Sequence, residues 1–126
     1  MSFKGKVAIV AGAGGGMGLQ IASAPVRGGA HVAMLDVKDE PSGIPDGPGG
    51  HRFFRGDVTD EAFVRDAIAT AASAHGRLDY LVNTTGVLWF DRDKSCTEMD
   101  MEVWDRVMAS NHKSFPRTIQ HAVPAR

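Results

Sequence analysis

The sequence contains one cysteine, Cys96, so no disulfide can form within the chain. A lone thiol suits a reducing compartment, and the cytoplasm is the expected location. No apolar run approaches the length of a membrane span, and the four-residue run after MSFKGK is too short for a signal-peptide core. Net charge of one sign is also missing. The formal charge is −1 and the charged residues are scattered, which gives no reason to expect nucleic acid or a membrane surface as a partner. The five histidines, His31, His51, His75, His112 and His121, show no ligand spacing, so no metal site is predicted. Tyrosine occurs once, at Tyr80, which confines phenol chemistry to a single position. There is no internal repeat. At 126 residues the chain is read as one domain, 1–126, able to bury roughly two-thirds of its extended surface.

What the sequence does have is glycine, 15 residues gathered mainly in an opening loop and around positions 43–50. The opening stretch Val7 to Gly18 reads VAIVAGAGGGMG. Val7 to Val10 is a short apolar run that fits a fully buried strand. Gly12, Gly14, Gly15, Gly16 and Gly18 follow, and a helical pattern begins at Met17. Strand, glycine-rich turn and helix in that order build a phosphate site. The glycines let backbone approach a pyrophosphate, and the helix start offers unpaired N–H groups and a positive dipole end. Gly12 to Gly18, Met17 included, is therefore the candidate cradle for a dinucleotide.

The helix is expected over about Met17–Arg27, with a kink or an early end at Pro25, because proline removes one backbone bond and crowds the preceding turn. His31–Leu35 reads as a second strand ending at Asp36, 18 positions past Gly18. An acid near this spacing receives ribose hydroxyls in dinucleotide folds; otherwise it is a solvated strand-end carboxylate. Residues 38–52 form a Gly/Pro-rich loop with Pro41, Pro45 and Pro48, where a crossover helix would be expected. Arg52–Gly56 reads as a third strand, and Thr59 or Asp60 as the cap of a helix whose apolar face carries Phe63, Val64, Ala67, Ile68, Ala71 and Ala72. Asp79–Thr84 is the fourth strand. In the loop after it, Trp89 and Phe90 either line a substrate pocket or anchor the loop. A last helix starts near Thr97 or Glu98, with Met101, Trp104, Val107, Met108 and Asn111 on the side expected to be core. Pro116 is expected to interrupt or kink the helical segment beyond Asn111.

These features, in this order, resemble the short-chain dehydrogenase/reductase family. Its opening T-G-x-x-x-G-x-G is similar to Ala11-Gly12-Ala13-Gly14-Gly15-Gly16-Met17-Gly18, with Ala11 in place of threonine. Its acid at the second strand end resembles Asp36, followed by Val37. Its adenine-contacting D-V resembles Asp57-Val58. Its N-N-A-G becomes Asn83-Thr84-Thr85-Gly86, and its W-D-x-V followed by asparagine resembles Trp104-Asp105-Arg106-Val107 and Asn111. The resemblance implies a Rossmann-like three-layer α/β fold with parallel strand order 3-2-1-4, truncated relative to the family. It also implies a cofactor site formed by Gly12, Gly14, Gly15, Gly16, Met17, Gly18, Asp36, Val37, Asp57, Val58, Asn83, Thr84 and Gly86. Ala11 is expected to lose a hydroxyl tie between the glycine loop and the fourth strand.

The family's chemistry, as the resemblance implies it, uses Asn, Ser and a Tyr-x-x-x-Lys. A phenol with pKa near 10 needs a neighbouring cation to lose its proton near neutrality. Tyr80 lies in a strand with Thr84 four residues on, so it cannot play that part. Asn111 is the only catalytic position present, either holding a water in a proton relay or making a helix-kink hydrogen bond. The implied activity is hydride transfer between a nicotinamide and a carbonyl or alcohol, with no turnover from this chain alone. Asp36 would repel a 2′-phosphate and Gly15 stands where phosphate-selective members carry a base, which favours NAD over NADP. A non-catalytic dinucleotide-binding module and an S-adenosylmethionine-dependent methyltransferase are the alternative readings. The fourth strand would lie on an open edge, so the chain is expected to form a homo-oligomer or to associate through that edge.

Overall fold

The structure, a computed structural model, describes residues 2–126. Four parallel strands, β1 (Val7–Ala11), β2 (His31–Asp36), β3 (His51–Arg55) and β4 (Tyr80–Asn83), form one sheet in the order β3-β2-β1-β4. Helices α1 (Gly16–Arg27) and α2 (Glu61–His75) follow β1 and β3. A helix α3 (Met101–Met108), a π-helical stretch (Ala109–Lys113) and α4 (Ser114–Ala125) close the chain. The expected strand order and the open β4 edge are both present. No helix among the described residues is long and apolar enough to cross a membrane.

Alternation along β1 sorts the core into two layers. Val7, Ile9 and Ala11 face α2, where Val64, Ala67, Ile68, Ala71 and Ala72 are buried, together with Ala122 of α4. Ala8 and Val10 face α1 through Ala22 and Val26. All five residues of β1 are buried, because a central parallel strand is covered on both faces.

The connection from β2 to β3 contains no helix, as its prolines dictate. It is nonetheless packed. Ile44 lies against the α1-side core, and a Cβ at Gly49 would meet the Ala30 carbonyl carbon at 2.5 Å. Asp60 is the cap of α2, its side chain accepting from the Ala62 and Phe63 N–H groups. The helix α1 runs through Pro25 to Arg27, so the expected early end does not occur. Pro25 stands in the last turn, where only two helical residues come after it.

The final helices differ most from expectation. The helix begins at Met101, capped by Asp100, rather than at Thr97 or Glu98. The bulky side expected to be core is largely outside: Met101 is 62% exposed, Trp104 47% and Met108 37%. The inward face instead carries Val103, Ser110, Ser114, Thr118 and Ala122. Small residues every fourth position let the helix approach α2 and β4 closely. Two of their hydroxyls are satisfied within the helix, Ser114 donating to the Ser110 carbonyl at 2.6 Å and Thr118 to that of Phe115 at 2.9 Å. Pro116 lies just past the π-helical stretch. It has no N–H for the His112 carbonyl and its ring crowds that oxygen, and the widened turn accommodates this.

Candidate functional site

Parallel pairing brings the C-terminal ends of β1, β2, β3 and β4 to one edge of the sheet, with Ala11 between Leu35 and Asn83 and Asp36 opposite Arg55. The chain runs from β1 to β2 to β3 in one direction and returns to β4 on the other side, so the crevice opens where the winding reverses. There lies a cleft of about 310 Å³.

The glycine loop forms one wall of the cleft. Gly12 has φ +85°, a left-handed conformation that side chains rarely adopt. A Cβ at Gly18 would strike the Gly12 carbonyl, so α1 can start this close to β1 only with glycine there. A Cβ at Gly14 would lie 2.7 Å from the Asp36 carboxylate. That contact is used: Asp36 Oδ2 accepts the Gly14 N–H at 2.8 Å and Oδ1 accepts that of Lys38 at 3.1 Å. The acid at the end of β2 is thus fastened to the loop that begins α1. The first turn of α1 has no side-chain cap, which leaves N–H groups at its positive end for an external anion.

The fourth-strand end supplies the tie that Ala11 lacks. The Thr84 hydroxyl lies 2.9 Å from the Ala11 carbonyl oxygen and 3.2 Å from that of Gly12, donating from the opposite strand. Just past the end of β3, Asp57 is held by three donors. Its Oδ1 accepts the Thr59 N–H at 2.9 Å and the Thr59 hydroxyl at 2.8 Å, and its Oδ2 accepts Arg106 Nη2 at 2.7 Å. Burial alone would raise the Asp57 pKa, but these hydrogen bonds and the Arg106 charge outweigh it and hold the carboxyl below its ordinary value.

Of the residues predicted for the site, Gly12, Gly15, Met17, Gly18, Asp36, Val37, Asp57, Val58, Thr84 and Gly86 line the cleft. Gly14 and Gly16 do not line it; Gly14 acts behind the wall through Asp36. Asn83 turns away from it, its Nδ2 donating to Thr118 Oγ1 at 2.9 Å. Asn111 is also outside the cleft. Its Oδ1 accepts the Val87 N–H at 2.7 Å and its Nδ2 donates to the Val87 carbonyl at 3.0 Å, which pins the loop after β4 to the π-helical stretch. Lys38, Gly56, Thr85, Val87, Arg106 and Ser110 complete the lining. Gly56 and Thr85 adjoin predicted residues in the chain, whereas nothing in the local sequence signals Arg106. Beyond Val87, Trp89 lines an apolar hollow of about 240 Å³ with Val103, Trp104 and Val107, while Phe90 is 83% exposed.

Comparison with known proteins agrees with the fold. The sequence model of the family described as "short chain dehydrogenase" matches residues 6–125. Over 99% of its length the chain is 34% identical to "Short-chain dehydrogenase reductase 3c" of Arabidopsis thaliana, covering 49% of that protein. Over 85% of its length it is 38% identical to "D-threitol dehydrogenase" of Mycolicibacterium smegmatis, covering 42%. Among solved structures, a short-chain type dehydrogenase/reductase from Mycobacterium ulcerans superimposes with TM-score 0.89 at 26% identity, over 99% of this chain and 48% of that one. A dehydrogenase/reductase from Sinorhizobium meliloti gives 0.85 at 30% identity, over 98% and 50%. The chain therefore spans about half the length of the relatives it matches.

Proposed function

The chain belongs to the short chain dehydrogenase family, and on that premise we propose that it is the nucleotide-holding half of an NAD(P)-dependent oxidoreductase, with NAD the preferred form. The observation that carries this reading is the Asp36 carboxylate fastened to the Gly14 N–H beside the uncapped start of α1. One short stretch thus offers N–H donors for a diphosphate and an acceptor for the neighbouring sugar hydroxyls. A 2′-phosphate would meet the Asp36 charge, which supports NAD over NADP; Lys38 on the same wall acts in the opposite sense.

In this reading Gly12 to Gly18 hold the diphosphate, Asp36 and Val37 the adenosine ribose, Asp57 and Val58 the adenine, and Thr84 and Gly86 the nicotinamide side. The nicotinamide supplies hydride chemistry toward a carbonyl or alcohol when bound. Asn111 is the one position matching the family's catalytic set, and its grip on Val87 supports a role in positioning the Gly86–Val87 wall. The sequence has no Tyr-x-x-x-Lys, so no turnover is expected from this chain by itself. The unpaired edge of β4 and the exposed apolar side of α3 and α4 support self-association. Fluorescence titration with NADH and NADPH tests the assignment. Tighter NADH binding is expected; tighter NADPH binding would reverse the cofactor choice, and binding of S-adenosylmethionine alone would replace the reading with a methyltransferase.

A further inference from the structure

Thr85 and Ser110 both line the cleft, and neither has a part in the reading above. They come from different elements, the loop after β4 and the π-helical stretch, and Ser114 of α4 joins them. The Ser114 hydroxyl donates to the Ser110 carbonyl at 2.6 Å, and its oxygen lies 3.3 Å from Thr85 Oγ1. A serine hydroxyl has one proton. Ser114 spends it on Ser110, so across the longer contact the donor is Thr85. The Thr85 proton is therefore turned toward the fully buried Ser114. What Thr85 has left for the cleft is an acceptor. The motif N-N-A-G has alanine where this chain has Thr85, so this hydroxyl belongs to the chain and not to the motif.

Ser110 is 7% exposed, and among the described residues its carbonyl is engaged by Ser114 while its hydroxyl has no partner. A polar group so buried is ordinarily hydrogen-bonded, and an exception calls for an explanation. The cleft that Ser110 lines is the open side from which a partner can come.

We propose that the Thr85 and Ser110 hydroxyls form a polar seat in the cleft for one ligand group that both donates and accepts a hydrogen bond, a sugar hydroxyl or a carboxamide. The ligand group donates to Thr85, whose own proton is committed, and accepts from Ser110, whose proton is free. A group that can only accept would face Thr85 acceptor to acceptor. This inference rests on the dinucleotide reading above, and it adds two side chains and a direction of hydrogen bonding that the reading does not require.

The test is calorimetric titration of the full chain with NADH, for the parent, Thr85→Val, Thr85→Ser and Ser110→Ala. Thr85→Val keeps the shape and removes the hydroxyl; it and Ser110→Ala are each expected to weaken binding about tenfold, the worth of one hydrogen bond, with melting temperatures close to the parent's. Thr85→Ser keeps the hydroxyl and is expected to bind like the parent. Two further probes identify the donor: ADP-ribose, which lacks the nicotinamide ring, and the reduced acetylpyridine analogue, which has a methyl ketone in place of the carboxamide. A Thr85→Val loss that persists with both assigns the seat to a sugar hydroxyl, and one that vanishes with both assigns it to the carboxamide. Thr85→Val and Ser110→Ala proteins that bind NADH as tightly as the parent overturn the inference and leave the dinucleotide reading standing. A Thr85→Ser protein as weak as Thr85→Val also overturns it, since the loss would then follow from shape. A parent that binds no NADH removes both.

Discussion

Gly18→Ala sets two physical effects against each other at one position. Gly18 is the third residue of α1, and helix propensity alone favours alanine there by about 1 kcal/mol. The structure opposes it. The new Cβ would strike the Gly12 carbonyl and lie 2.7 Å from the Thr84 hydroxyl oxygen. Gly12 cannot withdraw freely, since its N–H is bonded to the Leu35 carbonyl at 2.7 Å and its own carbonyl is met by Thr84. Overpacking costs about 1–3 kcal/mol, and a collision with tethered backbone belongs at the upper end, about 3 kcal/mol. The net is a loss of about 2 kcal/mol, which for a chain of this size lowers the melting temperature by about 8 °C. Thermal and urea unfolding followed by circular dichroism measure it. Gly15→Ser is the matched control: no heavy atom lies within 4 Å of an added Cβ there, and serine is a good N-cap, so stability should stay within about 0.5 kcal/mol. A Gly18→Ala protein that melts at or above the parent would refute the steric account of the loop.

Two further outcomes are expected. His75, at the end of α2, stacks on His31 with ring centroids 3.7 Å apart; burial and the His31 charge lower its pKa. The unfolded chain therefore binds more protons than the folded one below the ordinary histidine value of about 6.5, so stability falls as pH drops through that range. His75→Gln should flatten this part of the stability–pH curve, and an unchanged slope in urea titrations at pH 5 and 7 would exclude the stack as its source. Sedimentation velocity should show species heavier than the 13.4 kDa monomer. Lysine at Ile119 and Val123, 48% and 47% exposed on α4, should shift the distribution toward the monomer if the apolar helix side takes part.

The legible parts of this protein are those decided over a few residues. The buried run Val7–Val10, the glycines after it and the periodicity of Val64, Ala67, Ile68 and Ala71 each act through neighbours in the chain, and each becomes the element it implies. The prolines of residues 38–52 exclude a helix for the same reason. The last helices defeat a local reading because their bulky apolar residues look like an inner side. A helix packed closely on α2 and β4 needs small residues inward, so Ser110, Ser114 and Thr118 are buried while Trp104 is not.

The sequence alone determined a β-strand, a glycine turn and a helix with an acid at the next strand end, since backbone sterics and hydrophobic spacing act locally. Only the tertiary structure decided that Thr84 replaces the missing hydroxyl at Ala11 from 73 positions away, that Asn83 turns from the cleft, and that Arg106 meets Asp57. Those contacts depend on strand order and on which helix face meets the sheet. Both are fixed by burying apolar surface across the whole domain, a quantity that no local stretch of residues contains.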